Sequence, residues 1–238
     1  MTRFSVLVGC YGDYPQLSLR AVASLLQQCR DRGRFELLVG CNEVGAETRD
    51  QLQNWYAAGA IDGLVLSRAN RNKDPMMRVL LEMARSPWVL WLDDDSHVLD
   101  GWDTQLTGFI EREAPFDVAG HIFFIDKWPE YRRYLRARPW FDGEDAYLEP
   151  GHRDRAWFAT GGVFLARTAF LRRHNFPDRS MVKRYDDVLL GDLVSQQHGR
   201  LVHFPPELMD RLRIGDADRR GSGEGADGWL DVNPVTGF

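Results

Sequence analysis

Four short apolar runs, separated by helical segments, constrain the fold of this chain more than any other feature. The runs are FSVLVGC (Phe4 to Cys10), FELLVGC (Phe35 to Cys41), Gly63 to Ser67 and WVLWL (Trp88 to Leu92). Strands that are apolar on both faces are typical of parallel sheets covered on each side. Apolar residues at helical spacing lie between the runs, at 15–29, 48–58 and 76–84. The pair Asp74-Pro75 predicts the start of the third of these helices, with Asp74 as its N-cap. The order βαβαβαβ predicts an α/β fold with a mostly parallel sheet, right-handed crossovers and flanking helices.

The second half of the chain follows a different pattern. The predicted strands there are 118–125, 157–167 (interrupted by two glycines) and 201–204, and the predicted helices are 168–174 and 187–197. We therefore expect one domain over residues 1–214. Residues 215–238 are expected to form a flexible tail or lid, because residues 215–228 are rich in Gly, Asp and Glu.

Composition excludes several classes of protein. The chain has 238 residues, of which 44% are apolar and 27% charged, so it is not a disordered chain. No apolar run approaches the ~20 residues of a membrane span. The three cysteines have no CxxC spacing, which argues against a zinc cage or a disulfide framework and favours a cytoplasmic location. A net charge of −5 argues against bulk nucleic-acid binding.

Three consecutive carboxylates, Asp93, Asp94 and Asp95, follow the fourth apolar run directly. Ligands of open α/β sheets bind at the carboxyl ends of the strands. In extended chain Asp93 and Asp95 point one way and Asp94 the other. Like charges this close repel unless a cation neutralises them, and oxygen ligands suit manganese or magnesium. The pattern predicts a divalent-metal site for a diphosphate; the alternative is an acidic turn that caps the next element.

Four segments together resemble the GT-A-fold (Rossmann-like) glycosyltransferases, and most of all the inverting family 2 enzymes that use nucleotide-sugar donors. The resemblance covers roughly residues 4–205. The segments are FSVLVGCYGDYPQLSLRAVASLL, FELLVGCN, MMRVLLEMARSPWVLWLDDDSHVLDGW and ATGGVFLARTAFLRRHNFPDRSMVKRYDDVLLGDLVSQQHG. The resemblance implies that one half of the domain (1–100) binds the nucleotide sugar and that a smaller half (101–214) binds the acceptor.

The resemblance also implies roles for individual residues. Asp93 and Asp95 match the outer positions of the family's DXD motif, with Asp95 as the metal ligand and Asp93 at the metal or the ribose. Asp187 would be the catalytic base and Asp186 its acidic neighbour; the alternative for both is capping of the helix that follows. The donor-binding residues that it implies are Tyr11, Asp13, Asn42, Glu43, Arg78, Asp93, Asp94, Gly161 and Gly162.

Three positions depart from the family pattern. The usual Arg-Asn-x-Gly is replaced around Met77, Arg78 and Leu80, and the usual Glu-Asp is Asp-Asp here. The late metal-binding His of many relatives has no clear match, so the late ligand is His203, Asp210 or neither.

Other polar segments have two interpretations each. Residues 71–73 are interpreted as a solvated loop or as a nucleotide contact. Arg219 and Arg220 are interpreted as part of a disordered tail or of a closing lid. Lys127 to Trp140 interleaves basic and aromatic residues, which suits either a structural helix and loop or an acceptor platform. The acidic stretch Asp142 to Glu149 is able to pair with it.

The sequence therefore predicts a metal-dependent hexosyl- or pentosyltransferase with a UDP-sugar donor and a hydroxyl acceptor. A glycan or small molecule is the expected acceptor, and a hydroxymethylated DNA base is a minority alternative. Two other readings are a non-catalytic module that binds nucleotide sugar or nucleic acid, and a sugar nucleotidyltransferase. The latter needs a Gly-rich phosphate loop that VGCYGDYPQ does not provide.

Overall fold

The first half of the chain alternates strands and helices, as the apolar runs predict. The computed structural model describes residues 3–141, 143, 155–181, 186–213 and 233–234. Its first elements are β1 (Phe4–Gly12), α1 (Pro15–Gln27), β2 (Phe35–Val44), α2 (Ala46–Ala57), β3 (Gly63–Ser67), α3 (Lys73–Met83) and β4 (Trp88–Asp93).

The second half adds strands to the same sheet and helices around it. Its elements are β5 (His97–Val98), α4 (Trp102–Glu113), β6 (Val118–Asp126), α5 (Pro129–Arg136), β7 (Arg155–Arg167), α6 (Thr168–Arg173), α7 (Asp186–Gln196), β8 (Leu201–His203), α8 (Pro206–Met209), β9 (Leu212–Arg213) and β10 (Asn233–Pro234). Apart from β10, the predicted tail, with Arg219 and Arg220, lies outside the described residues.

The main sheet is parallel on one side and mixed on the other. Strands β3, β2, β1 and β4 are parallel neighbours in that order. Strand β7 then pairs antiparallel with β4, and β6 pairs antiparallel with β7. Strands β8 and β10 pair with β6. The prediction of an α/β fold with a mostly parallel sheet is confirmed.

Apolar side chains fill the space on both faces of the sheet. Along β1, Leu7 packs on the face that α3 and α7 cover, whereas Val6 and Val8 pack on the face that α1 and α4 cover. The alternation of neighbouring side chains explains why a run that is apolar throughout suits this position. In the described part of the chain, no helix has the length and apolar character needed to cross a bilayer.

Two local predictions differ from the structure. Helix α3 begins at Lys73, after Asn72 with a φ of 67°, so Asp74 lies in the first turn and is not the cap that the Asp-Pro pair predicts. Helix α4 was not predicted, although its buried apolar residues have helical spacing. It follows Gly101, whose φ of 74° suits glycine.

Candidate active site

The three adjacent aspartates lie at the carboxyl end of β4 and have different surroundings. The strand ends at Asp93, and the N–H of Ser96 donates to the Asp93 carbonyl at 2.9 Å, closing a turn. Asp94 is 1% exposed and accepts hydrogen bonds from the Ser18 hydroxyl (2.5 Å) and the Tyr11 N–H (3.2 Å). The Asp94 carboxylate thus ties β4 to β1 and α1 inside the fold, although the resemblance implied a donor contact.

The Asp93 carboxylate is partly buried and has two partners. The indole Nε1 of Trp91 donates to Oδ1 at 2.6 Å, and the ammonium of Lys73 lies 3.1 Å from the same oxygen. Burial raises the pKa of Asp93 to about 7, with Lys73 acting against it and the charges of Asp95 and Asp186 adding to it. The carboxylates of Asp93 and Asp95 are therefore close enough to influence each other.

Lys73 joins several elements at this edge of the sheet. Its Nζ contacts Asp93 on β4, the carbonyl of Gly161 on β7 (2.9 Å) and Oδ2 of Asp186 on α7 (3.1 Å). Burial lowers the pKa of Lys73, but the carboxylates of Asp186 and Asp93 outweigh it and raise the pKa above its usual value. The solvated-loop interpretation of Lys73 is wrong, because the side chain makes long-range ion pairs.

Asp187 lies in the first turn of α7 and reaches across to β7. Its Oδ2 accepts the N–H of Gly161 at 3.0 Å, and its Oδ1 accepts the N–H of Val188 at 2.8 Å. Each carboxylate oxygen has two lone pairs, so neither is saturated by these bonds. Burial and then the neighbouring Asp186 raise the pKa of Asp187 to about 6. At neutral pH such a group is ionised and still basic enough to accept a proton.

The glycine pair of β7 lies beside the end of β4, because Leu92 pairs with Val163. A Cβ at Gly161 would lie 3.0 Å from Nζ of Lys73 and 3.3 Å from Oδ2 of Asp187. Glycine therefore lets the lysine and the carboxylate approach the backbone together. Gly162 follows in the same strand.

Asn42 and Glu43, at the end of β2, hold the loop that leads to α3. The amide group of Asn42 donates to Asn70 Oδ1 (2.9 Å) and to the Asn72 carbonyl (3.2 Å), and its Oδ1 accepts the Arg71 N–H at 2.7 Å. Glu43 accepts the N–H of Asn70 at 3.0 Å. Asn42 and Glu43, which the resemblance implies as contacts of the nucleotide-sugar donor, therefore hold residues 70–72, the segment just before Lys73.

Tyr11 and Asp13 lie at the neighbouring end of β1. The Tyr11 ring meets the Tyr14 ring edge-on at 6.4 Å. Asp13 packs against Gly45, where a Cβ would lie 1.9 Å from its Oδ1. The structure therefore places Tyr11, Asp13, Asn42 and Glu43 on the same edge of the sheet as Asp93, since β1, β2 and β4 are parallel.

Arg78 and His203, two of the remaining predicted site residues, have partners elsewhere in the fold. Arg78 donates to the Pro177 carbonyl (2.9 Å) and to Asn175 Oδ1 (2.7 Å), so its guanidinium is engaged with that turn. His203 lies in β8, separated from β4 by two strands, and stacks on His121 at 5.3 Å. Asp210 follows α8. Among the described residues, no hydrogen bond or ion pair links Arg78, His203 or Asp210 to Asp93, Lys73 or Asp187.

The carboxylates at the end of β4 suit divalent metal ions that prefer oxygen ligands. Among the described residues, no three His, Cys, Asp or Glu side chains are grouped so that they could hold an ion by themselves. Magnesium and, by its similar oxygen preference, manganese are bound through one or two carboxylates together with substrate phosphates. Asp93 and Asp95 offer that number of carboxylates, so the residues fit a metal that arrives with a diphosphate.

The basic and aromatic segment forms α5 and packs against α7. Tyr131 and Lys127 both contact the Asp192 carboxylate, and the Lys127–Asp192 pair, at 2.7 Å, is almost fully buried. Part of the segment therefore has a structural role. Of the acidic stretch 142–149, all but residue 143 lies outside the described part of the chain.

Asp74, the residue after Lys73 in the first turn of α3, is a buried carboxylate. It is 2% exposed, and its Oδ1 has no hydrogen-bond partner among the described residues. Burial and then the charge of Asp186 raise the pKa of Asp74 to about 8. The folded chain therefore holds a proton here that the unfolded chain releases near pH 4, so this group lowers stability as the pH rises from about 4 to 8.

We expect Asp74→Asn to stabilise the protein at pH 8 by at least about 1 kcal/mol, or roughly 2–4 °C in thermal midpoint. The amide resembles the protonated acid, so the gain should shrink as the pH is lowered to 5. Thermal unfolding of both proteins at the two pH values measures this. Equal or lower stability of the variant at pH 8 would show that the fold favours the Asp74 carboxylate.

Comparison with solved structures places the fold among the GT-A glycosyltransferases. TarS 1–349 of S. aureus superposes with a TM-score of 0.61 at 17% identity, covering 86% of this chain and 58% of that one. TarS 1–349 in complex with UDP-GlcNAc gives 0.59 at 16%, covering 86% and 56%. The mannosyltransferase PcManGT from Pyrobaculum calidifontis, in complex with GDP-Man and Mn²⁺, gives 0.58 at 16%, covering 86% and 55%. The chain thus spans less than two thirds of the length of these neighbours.

Sequence comparison gives the family. No curated protein matches the chain. The family model for glycosyl transferase family 2 matches residues 5–175, which is more than half of the chain. The protein therefore belongs to glycosyl transferase family 2.

Proposed function

We propose that this protein is a metal-dependent glycosyltransferase that moves a sugar from a nucleoside-diphosphate sugar to a hydroxyl acceptor. The observation that carries the proposal is that one lysine side chain contacts carboxylates from both parts of the site. Lys73 links Asp93, at the end of the donor-side strand β4, to Asp186, the neighbour of Asp187 on α7. A diphosphate site and a base would then face each other across the Gly161 backbone.

The proposed donor is a UDP-sugar, bound by the half formed by residues 1–100. Structural neighbours of this chain hold UDP-GlcNAc, UDP and GDP-Man, which supports a nucleotide sugar without choosing the base or the sugar. Tyr11, Asp13, Asn42 and Glu43 lie at the ends of β1 and β2, where the nucleoside would bind.

Asp95, with Asp93, would hold the divalent metal, which neutralises charge on the departing diphosphate when it is bound. Manganese is the first choice, because PcManGT was solved with Mn²⁺. Gly161 and Gly162 leave room for donor and acceptor at the β7 backbone. The half formed by residues 101–214 would bind the acceptor, for which we propose a glycan or a small molecule.

Asp187 would act as the base in an inverting transfer. Its hydrogen bonds to Gly161 and Val188 fix the carboxylate and leave lone pairs for the acceptor hydroxyl. The acceptor oxygen would attack the anomeric carbon as its proton passes to Asp187, and the nucleoside diphosphate leaves from the opposite face.

A binding panel tests the donor half of this proposal. We expect one nucleoside diphosphate and its sugar ester to raise the thermal midpoint only when Mn²⁺ is present. At 100 times the Kd, binding stabilises the folded state by about 2.7 kcal/mol, which is easily measured. If no nucleotide or nucleotide sugar shifts the midpoint with or without metal, the proposed donor site does not exist.

A further inference from the structure

Lysine is rare in this chain, and that makes Lys73 informative. Of the 30 basic residues only three are lysine, so arginine serves almost everywhere else. The two described lysines both make ion pairs with aspartates on α7: Lys73 with Asp186, and Lys127 with Asp192. A lysine ammonium is a compact charge with three donors, whereas the arginine fork is planar and suits bidentate contacts.

The contacts of Lys73 match that distinction. Its oxygen partners come from three elements: both oxygens of Asp93 on β4 (3.1 and 3.2 Å), the carbonyl of Gly161 on β7 (2.9 Å) and Oδ2 of Asp186 on α7 (3.1 Å). The ring of Trp91 lies 5.6 Å from the ammonium and also donates to Asp93. Acceptors on three separate elements surround one point charge, and a planar guanidinium would have to displace at least one of them.

Gly161 connects this lysine to the proposed base. Its carbonyl accepts from Lys73, and its N–H donates to Oδ2 of Asp187 at 3.0 Å. Asp186, the other ion-pair partner, precedes Asp187 on the same helix turn. A displacement of the ammonium would therefore reach Asp187 by two routes, one through the β7 backbone and one through α7.

We propose that Lys73 is the positioning residue of this site: an internal cation that sets the distance between the metal-binding carboxylates and the base. The inference rests on the proposed function for the roles of Asp93 and Asp187. Lys73 does not touch the reacting atoms in this account. It holds Asp93, at the end of β4, and the first turn of α7 at a fixed separation.

The charge of Lys73 has a second consequence. Its ammonium partly neutralises the same Asp93 carboxylate that would bind the metal. Removing the ammonium removes a cation that repels the metal and competes with it for the Asp93 carboxylate. At a pH where that carboxylate is ionised, the free protein should therefore bind Mn²⁺ more tightly even as transfer slows. A residue that only supported the local fold would weaken both properties when removed.

The test compares Lys73→Met and Lys73→Arg with wild type, using Arg68→Met as the control. Arg68 is exposed in the same β3–α3 connection, so its substitution removes one positive charge without entering the cluster. With saturating Mn²⁺ and the donor found in the binding panel, we expect kcat to fall at least thirtyfold in both Lys73 variants. The donor KM should rise less than threefold. Because two carboxylates hold Mn²⁺ only weakly without a diphosphate, calorimetry with Mn²⁺ alone is carried to millimolar metal. It should show binding by Lys73→Met about three- to tenfold tighter than by wild type, and no change in Arg68→Met.

Restoration of kcat to within threefold of wild type by Lys73→Arg would overturn the proposal, because the charge alone would then suffice. Unchanged or weaker Mn²⁺ binding by Lys73→Met would overturn it as well. If Lys73→Met does not fold, the proposal is tested by the kcat of Lys73→Arg, which keeps the charge: a fall of at least thirtyfold supports it, and a smaller fall overturns it. If wild type turns over no donor, the proposed function fails, and the Mn²⁺ comparison still shows whether Lys73 acts as an internal cation.

Discussion

Asp187→Asn is expected to lower the rate of sugar transfer by about 10³-fold while donor binding is retained. The amide keeps the size of the side chain and one oxygen that can accept from Gly161 or Val188, but it cannot take a proton. Removal of a general base typically costs about 10²–10⁴-fold in rate. Initial rates of transfer and the metal-dependent thermal shift with donor, measured on the same preparations, separate the two effects.

The pH dependence gives this prediction a second readout. Because the pKa of Asp187 is raised to about 6, the wild-type kcat should fall as the pH is lowered through about 6. The residual activity of Asp187→Asn should lack that acid limb. A variant rate within tenfold of wild type, with the limb preserved, would mean that another group accepts the proton.

Asp95→Asn and Asp94→Asn should give opposite phenotypes although the two residues are neighbours. We expect Asp95→Asn to weaken metal-dependent donor binding by at least about a hundredfold, since the proposed metal ligand would lose its charge and become a neutral amide. Asp94→Asn should keep that binding and lose about 1–3 kcal/mol of stability, because the buried Asp94 carboxylate accepts from Ser18 and from the Tyr11 N–H. Donor titrations with Mn²⁺ and thermal unfolding of both variants check this.

Each of these two variants serves as the control for the other, because the substitution is the same at adjacent positions. Loss of donor binding in Asp94→Asn, in a protein that remains folded, would show that the middle carboxylate contacts the ligand. Full donor binding by Asp95→Asn would remove Asp95 from the metal site.

The sequence was sufficient to predict the sheet and the edge of the sheet at which the candidate site lies. The runs that contain β1, β2 and β4 are apolar on both faces, and only a strand covered on each side needs that pattern. Asp93 to Asp95 then follow the last of these runs, so their position at the carboxyl edge comes from the order of elements alone.

The contact partners of individual site residues could not be predicted from the sequence. Lys73 contacts Gly161, 88 positions away, because β7 inserts antiparallel beside β4. No local pattern predicts that pairing, so Lys73 looks like part of a solvated loop. Arg78 is similar, since its partners at 175–177 come from a distant turn. The sequence offered residues 71–73 as a nucleotide contact, and the scarcity of lysine is the further signal that distinguishes Lys73 within that segment.

The most direct test of the account is release of nucleoside diphosphate from a panel of nucleotide sugars by wild type and Asp187→Asn. The protein should be assayed with Mn²⁺ and with a chelator, together with a mixture of hydroxyl acceptors. We expect release from one donor, dependent on the metal and lost in the variant. Binding of a nucleotide sugar without release under any of these conditions would contradict a transferase and indicate a binding protein.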